Sequence, residues 1–429
     1  MTKNKRLLTA IILFYLPILV NAETRDNALE LFKFAEANYP ELLDPMGPET
    51  QEIQGYYVRY YENTQIYLGV QGDNVWAVGG SLGDEVKLYG KLKDFIALQE
   101  TDISDLMMTN RRPLCTYYAD TSFSAVRDVK RNVLFNGNTS ITVDGNECVI
   151  TANGIPNHDF NDANAKFASR VSEVSYELRI PINPSFAAKT TPISLTIDNA
   201  ILLNGVKIDL LAAACFGIGD ERIGCNNMNQ PYRLDPMSPL NNFGTDSHNA
   251  HTQPNGAYHY HGNPMALFAQ SEPAEESPLV GFAADGFPIF GPYIRDNGAL
   301  RRVASSYKLK AGARASGQGH PGGIFDGTYT DDYEYVEGSG DLDECNGMMW
   351  KGSYGYYVID AYPWVLNCYK GTPNDSFNKS QQATSPKLVK FSRSEIRSVL
   401  QRGIYSDYGQ SNKNSDFTLL FSSSTFSKQ

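Results

Sequence analysis

The sequence predicts a small α+β module followed by a mainly β, loop-rich, disulfide-bearing domain. Three observations carry this reading. Tyr 26, Phe 21 and Trp 3, with 36 Gly among 429 residues, favour strands and turns over long helices. Strand patterns and turn signals recur along the chain, whereas helical patterning is confined to a few short stretches. All six cysteines lie beyond residue 100, so only the later part can carry disulfides. With 41% hydrophobic and 20% charged residues the chain is too apolar for disorder. At ~150 residues per domain it should form two or three.

Residues 1–22 read as a signal peptide. Lys3, Lys5 and Arg6 precede an apolar run from Leu7 to Val20, and Val20-Asn21-Ala22 suits a signal peptidase. The run is too short for a membrane span, and no later stretch reaches 18 apolar residues. An exported protein, periplasmic or extracellular, is expected. Cleavage would remove three basic and no acidic residues, moving the formal charge from −11 to −14. Such a balance repels polyanions and excludes nucleic-acid binding as the main role.

Residues 26–99 form the first unit. Asp26 can cap a helix running to Asn38, with Leu31, Phe32, Ala35 and Tyr39 on one face, and Pro40 ends it. Strands are expected at Tyr56–Tyr61, Gln65–Val70 and Asn74–Val78, and a closing helix at Lys91–Gln99. The Ala37-Asn38-Tyr39-Pro40-Glu41-Leu42 phrase and Tyr67-Leu68-Gly69-Val70 resemble a small module common at the N-terminus of secreted bacterial proteins. Gly79-Gly80-Ser81-Leu82-Gly83 has the G-x-S-x-G spacing of a nucleophile elbow. It lacks the strand–turn–helix setting, and this unit has no His.

Residues 100–112 are polar and read as a linker, and the second domain runs over 113–373. Ser140–Val143 and Cys148–Ala152 flank the turn Asp144-Gly145-Asn146. Tyr176, Leu178 and Ile180 alternate with charged residues as a half-buried strand does. From Cys215 to Pro373 the chain is rich in Gly, Pro, Asn and Asp, and needs fastening by disulfides or a metal. Six Cys allow 15 connectivities. The simplest is local pairing, Cys115–Cys148, Cys215–Cys225 and Cys345–Cys368. Residues 374–429 are a polar, Ser-rich tail with one short helix expected at Ser392–Arg402.

The chemistry concentrates in one stretch. Of six His, four lie within 14 residues: His248, His251, His259 and His261. Asn255-Gly256 turns the chain into a strand through Tyr258-His259-Tyr260-His261. Side chains alternate along a strand, so His259 and His261 share one face and the tyrosines the other. Two such imidazoles can reach one ion, and His248 is expected as the third ligand over His251, with Asp246 beside it. Imidazole ligands suit Zn or Cu. Paired hydrogen bonding to backbone and water is the structural alternative.

Tyr258–His261 also resembles the signature of the YHYH-domain family. Gly281–Pro292, Leu342–Gly347, the Tyr354–Trp364 run with Cys368 and Gly371, and Asn153–His158 agree with it. The likeness spans about residues 115–373 and implies an exported domain, without supplying a reaction. Some relatives carry a His where this chain has Tyr356 and Tyr357. On the same phrases, His158 and Asp285 are further metal candidates, and Asp285 and Glu344 are candidate acid/base groups. Asp341-x-Asp343 lacks the spacing and the closing Glu of a calcium loop. His320 sits in a Gly-Pro-rich loop. Three function classes follow: a metal-binding module, a metal-dependent extracytoplasmic hydrolase or oxidase, and an adhesion or glycan-binding surface domain.

Overall fold

The computed structural model describes residues 27–29 and 31–33, five N-terminal strands, and residues 100–382 apart from 272. Two units divide near residue 100. In the first, residues 27–29 and 31–33 are helical and bury Ala28, Leu31 and Phe32. Five strands form an antiparallel meander in sequence order: Gln51–Ile53, Tyr56–Tyr61, Ile66–Gln71, Asn74–Gly79 and Lys87–Lys91. The expected signal peptide and the helices at 91–99 and 392–402 lie outside the described residues, except that Lys91 ends a strand.

The second unit contains two large sheets. A five-stranded sheet has the order Tyr176–Pro181, Glu147–Ala152, Val133–Asp144, Asp120–Asp128 and Glu100–Asp102. The hairpin around Gly145, with Asp144 opposite Glu147, is the one its turn residues indicate. An eight-stranded mixed sheet runs Ala250–Thr252, Tyr258–Tyr260, Lys207–Ile208, Ala200–Leu202, Leu279–Ala283, Pro288–Phe290, Ser353–Tyr357 and Gly347–Trp350. Leu279–Ala283 and Pro288–Phe290 are buried on both faces, which explains their unbroken apolar sequence. Apolar side chains from both sheets join one core, including Leu178, Ile180, Ile208, Tyr258, Tyr260 and Phe282.

The three disulfides are Cys115–Cys148, Cys215–Cys225 and Cys345–Cys368, the local pairing expected from the sequence. Cys215–Cys225 and Cys345–Cys368 fasten the loop-rich part, and Cys115–Cys148 ties a short 3-10 turn to the Glu147–Ala152 strand. Each typically contributes about 2–4 kcal/mol, mainly by restricting the unfolded chain.

The ends of this unit extend further than composition suggests. Glu100–Asp102 is a strand, and Ile103 is buried with its N–H donating to Phe123. Met108 donates to the Leu267 carbonyl, and Asn110 accepts from Leu279. The Arg111 guanidinium donates to the Ser277 carbonyl and lies 4.3 Å over the Phe290 ring. The stretch read as a linker is therefore bound to the body of the unit. Its bonds are mostly to backbone, which leaves no hydrophobic period to detect. At the other end, Phe377 is fully buried and its carbonyl accepts from Asp198, while Lys379 donates its N–H to Thr196. Among the described residues no helix is long and apolar enough to cross a membrane.

Candidate metal centre

Asn249 and Gly256 shape the His hairpin. Gly256 has φ +85°, and a Cβ there would lie 2.2 Å from Ser172 Oγ and 2.8 Å from the Arg170 carbonyl. Only glycine fits. Asn249 takes a left-handed φ of 63° and its carbonyl accepts the His261 N–H. Between them the strands pair Ala250 with Tyr260, His251 with His259 and Thr252 with Tyr258.

This register sets the site. His251 and His259 are direct cross-strand partners, so their side chains leave the same face. His261 follows His259 two residues later on that face. His259 Nε2 lies 3.1 Å from His261 Nε2, which lies 2.9 Å from His251 Nε2. The three nitrogens stand within 4.8 Å of one another. His259 and His261 are buried, and His251 on the edge strand is half-buried.

The expected third member, His248, is elsewhere. Its ring packs against His158, tilted by 37° at 3.9 Å between centroids, on the tyrosine side of the hairpin. His158 donates from Nδ1 to the Asp159 carbonyl at 2.7 Å and accepts at Nε2 from Tyr260 at 2.6 Å. Burial, reinforced by the neighbouring His248, holds His158 down to about 3. Asp246 also stays away from the triad. It accepts from the backbone of His248 and Ala250 on one oxygen, and from Tyr258 and Asn161 on the other. It organises the hairpin instead of completing a ligand set.

Asp285 and Glu344 are likewise committed. Asp285 accepts from Tyr356 at 2.7 Å, from Gly371 at 2.9 Å and from Phe287 at 3.3 Å, latching the Asp-Gly turn onto the closing segment. Glu344 pairs with Lys370 at 2.7 Å near the surface. Neither belongs to the His group. His320 is exposed and bonds Tyr232 at 2.9 Å.

The polar pattern fits a cation. His251 Nδ1 is 2.7 Å from the Phe243 carbonyl, and His259 Nδ1 is 3.3 Å from the Ala257 carbonyl. A carbonyl only accepts, so both rings carry their proton on Nδ1 and present a lone pair at Nε2. His261 Nε2 faces both lone pairs. A proton there can serve one neighbour, not two; a proton on its Nδ1 leaves three lone pairs converging. A metal ion satisfies all three nitrogens, and the Nδ1–H bonds to carbonyls are the usual outer support of a ligand His. Burial lowers all three imidazoles, and the mutual proximity of the rings adds to the effect at His259 and His261. They are therefore neutral and able to ligate. Tetrahedral coordination at Zn–N distances of ~2.05 Å requires N···N separations of ~3.3 Å. The observed 2.9 and 3.1 Å need a slight opening, and the third separation lies within 4.8 Å.

Family comparison gives the same stretch a name. The model described as YHYH protein matches residues 177–371. The chain carries a YHYH domain. No curated protein and no solved structure matches it. The match takes in the His hairpin, the Asp285 turn and the closing disulfide of the YHYH domain. It leaves out His158, which lies beside that hairpin in space, and Lys379.

Around the triad the YHYH domain holds charges that motif reading missed. Lys207, the parallel neighbour of His259, bonds Asp198 at 2.7 Å and Gln253 at 2.9 Å. Gln253 in turn donates to Asp209, which also pairs with Lys379. Val206-Lys207-Ile208-Asp209-Leu210 was the available signal: charges at period two inside an apolar run mark a polar face within a sheet.

The tyrosine face of the motif is a hydrogen-bonded one. Besides donating to His158, the Tyr260 hydroxyl accepts from Asn204 at 3.0 Å. Tyr260→Phe leaves His158 Nε2 without its partner and Asn204 with its bond to Asn157, and should cost about 1–3 kcal/mol. Metal stoichiometry should not change, because the hydroxyl faces away from the triad. Denaturant titration beside metal analysis checks both halves.

Proposed function

We propose that this is an exported metal-binding protein whose His251, His259 and His261 Nε2 atoms hold one divalent transition metal, zinc or copper. The observation that carries this is the convergence of three imidazole nitrogens, two of them buried, with the far sides of His251 and His259 fixed on carbonyls. Three disulfides suit an oxidising compartment, which supports export. Three protein ligands leave a fourth position for water or substrate, the arrangement of catalytic rather than structural zinc. That favours metal-dependent hydrolysis or oxidation as the activity. The glycan-binding alternative has Phe186, 58% exposed and stacked 5.3 Å from Phe287. It leaves the buried His group without a role.

Metal analysis of protein purified without a His tag tests the proposal. About one zinc or copper ion per chain is expected, as isolated or after loading at micromolar concentration. Protein that takes up neither overturns it.

A further inference from the structure

The charge cluster next to the triad contains the reactants for a covalent bond. We propose that Lys207 and Asp198 condense to an intramolecular isopeptide bond, stapling the Ala200–Leu202 and Lys207–Ile208 hairpin. Lys207 Nζ lies 2.7 Å from Asp198 Oδ1, and the two side chains are 3% and 0% exposed. The other oxygen, Asp198 Oδ2, is buried and has no hydrogen-bond partner among the described residues. An ion pair so deeply buried loses its hydration, and a carboxylate with one oxygen unpaired recovers little of that loss. Amide formation removes both charges and the unpaired oxygen together.

The chemistry balances without a co-reactant. Proton transfer across the 2.7 Å contact gives an amine beside a carboxylic acid. The nitrogen attacks Asp198 Cγ, the C–N bond forms, and one carboxyl oxygen leaves with two hydrogens as water. Nothing is oxidised or reduced. Fixed side chains in contact reach effective molarities of about 10⁵–10⁸ M, which makes condensation feasible in a dry core.

The surroundings match each stage. Lys379 Nζ stands 3.6 Å from Asp198 Oδ1, placing a positive charge where the tetrahedral oxyanion develops. Asp209, which acts electrostatically on both Lys207 and Asp198, has its own unpartnered oxygen to carry a proton. In the product, the amide N–H keeps an acceptor in Gln253 Oε1, 2.9 Å from Lys207 Nζ. Lys379 and Asp209 remain as a balanced pair.

Tryptic mass spectrometry of the reduced and alkylated full-length protein decides the matter. An isopeptide bond blocks cleavage after Lys207. The expected product is one peptide spanning residues 190–222, lighter than its sequence by one water, with fragment ions locating the link between Asp198 and Lys207. Lys207→Arg and Asp198→Ala should each abolish the water loss, and Lys207→Arg should restore cleavage at 207. Wild-type protein giving peptides 190–207 and 208–222 at full mass overturns the proposal, whether or not the variants fold. Water loss with normal cleavage after Lys207 marks a succinimide and overturns it equally.

Discussion

Replacing His261 with Ala abolishes tight metal binding, whereas replacing His248 with Ala leaves it within tenfold of wild type. His261 Nε2 is the nitrogen that lies within 3.1 Å of both others, so its loss removes a ligand and separates the remaining two. Zinc held by four protein ligands gains about 10–16 kcal/mol, so each ligand accounts for about 2.5–4 kcal/mol. That corresponds to roughly 10²- to 10³-fold in affinity. His251→Ala and His259→Ala should behave alike. The metal-induced rise in melting temperature, about 2.7 kcal/mol of stabilisation at a hundredfold excess over Kd, should vanish with them. Isothermal titration with zinc, with circular dichroism to confirm folding, reads both. A His248 variant that loses binding while His251→Ala retains it would invert the assignment.

Acid should unfold the metal-free protein steeply. His158, His251, His259 and His261 are all held below the ordinary imidazole value of ~6.5, each chiefly by burial. The unfolded chain binds these protons below pH ~6.5 and the folded chain does not. Stability is therefore fully present above that pH and falls as the pH drops, by about 1.4 kcal/mol per unit for each such His. For His158 the loss continues to pH about 3. Asp235 works the other way. Burial raises it to about 6, against bonds from Met237 and Trp364, so its buried charge is relieved as the pH falls below 6. Burial raises Asp209, Asp246 and Asp285 as well, so these carboxyls share with Asp235 in offsetting the fall. Urea midpoints measured from pH 7.5 to 5 should fall, and His158→Gln should flatten the curve by about one proton. The lowered imidazoles also mean that protons compete poorly for the triad. Bound metal should survive below pH 6, where an exposed His cluster would release it.

Much of this site was legible in the sequence. Period-two alternation placed His259 and His261 together, and Asn255-Gly256 marked the turn. What went astray was the third imidazole. Across the hairpin, 250 pairs with 260 and 251 with 259, so odd-numbered residues share the His face. His248, near Asp246, belongs to the other side. Carrying the register through the turn would have favoured His251. Asp285 was attractive because it stands in a marked phrase, yet a turn carboxylate is as easily consumed by backbone and tyrosine donors. Lys207 and Asp209 share one segment and its period-two signal, but their grouping with Asp198, Gln253 and Lys379 was illegible because those residues come from other segments, Lys379 from beyond residue 373. The ordered polar stretch at 101–112 was hidden for a related reason: long-range backbone bonds leave no local pattern.

The central claim is three-imidazole coordination by the YHYH hairpin. X-ray absorption at the metal edge of tag-free, zinc- or copper-loaded protein tests it most directly. We expect about three imidazole nitrogens near 2.0 Å with their outer-ring scattering, plus one lighter oxygen ligand. In His251→Ala the imidazole count should fall by one. A first shell of oxygens without imidazole scattering, or an imidazole count unchanged in His251→Ala, would contradict the account.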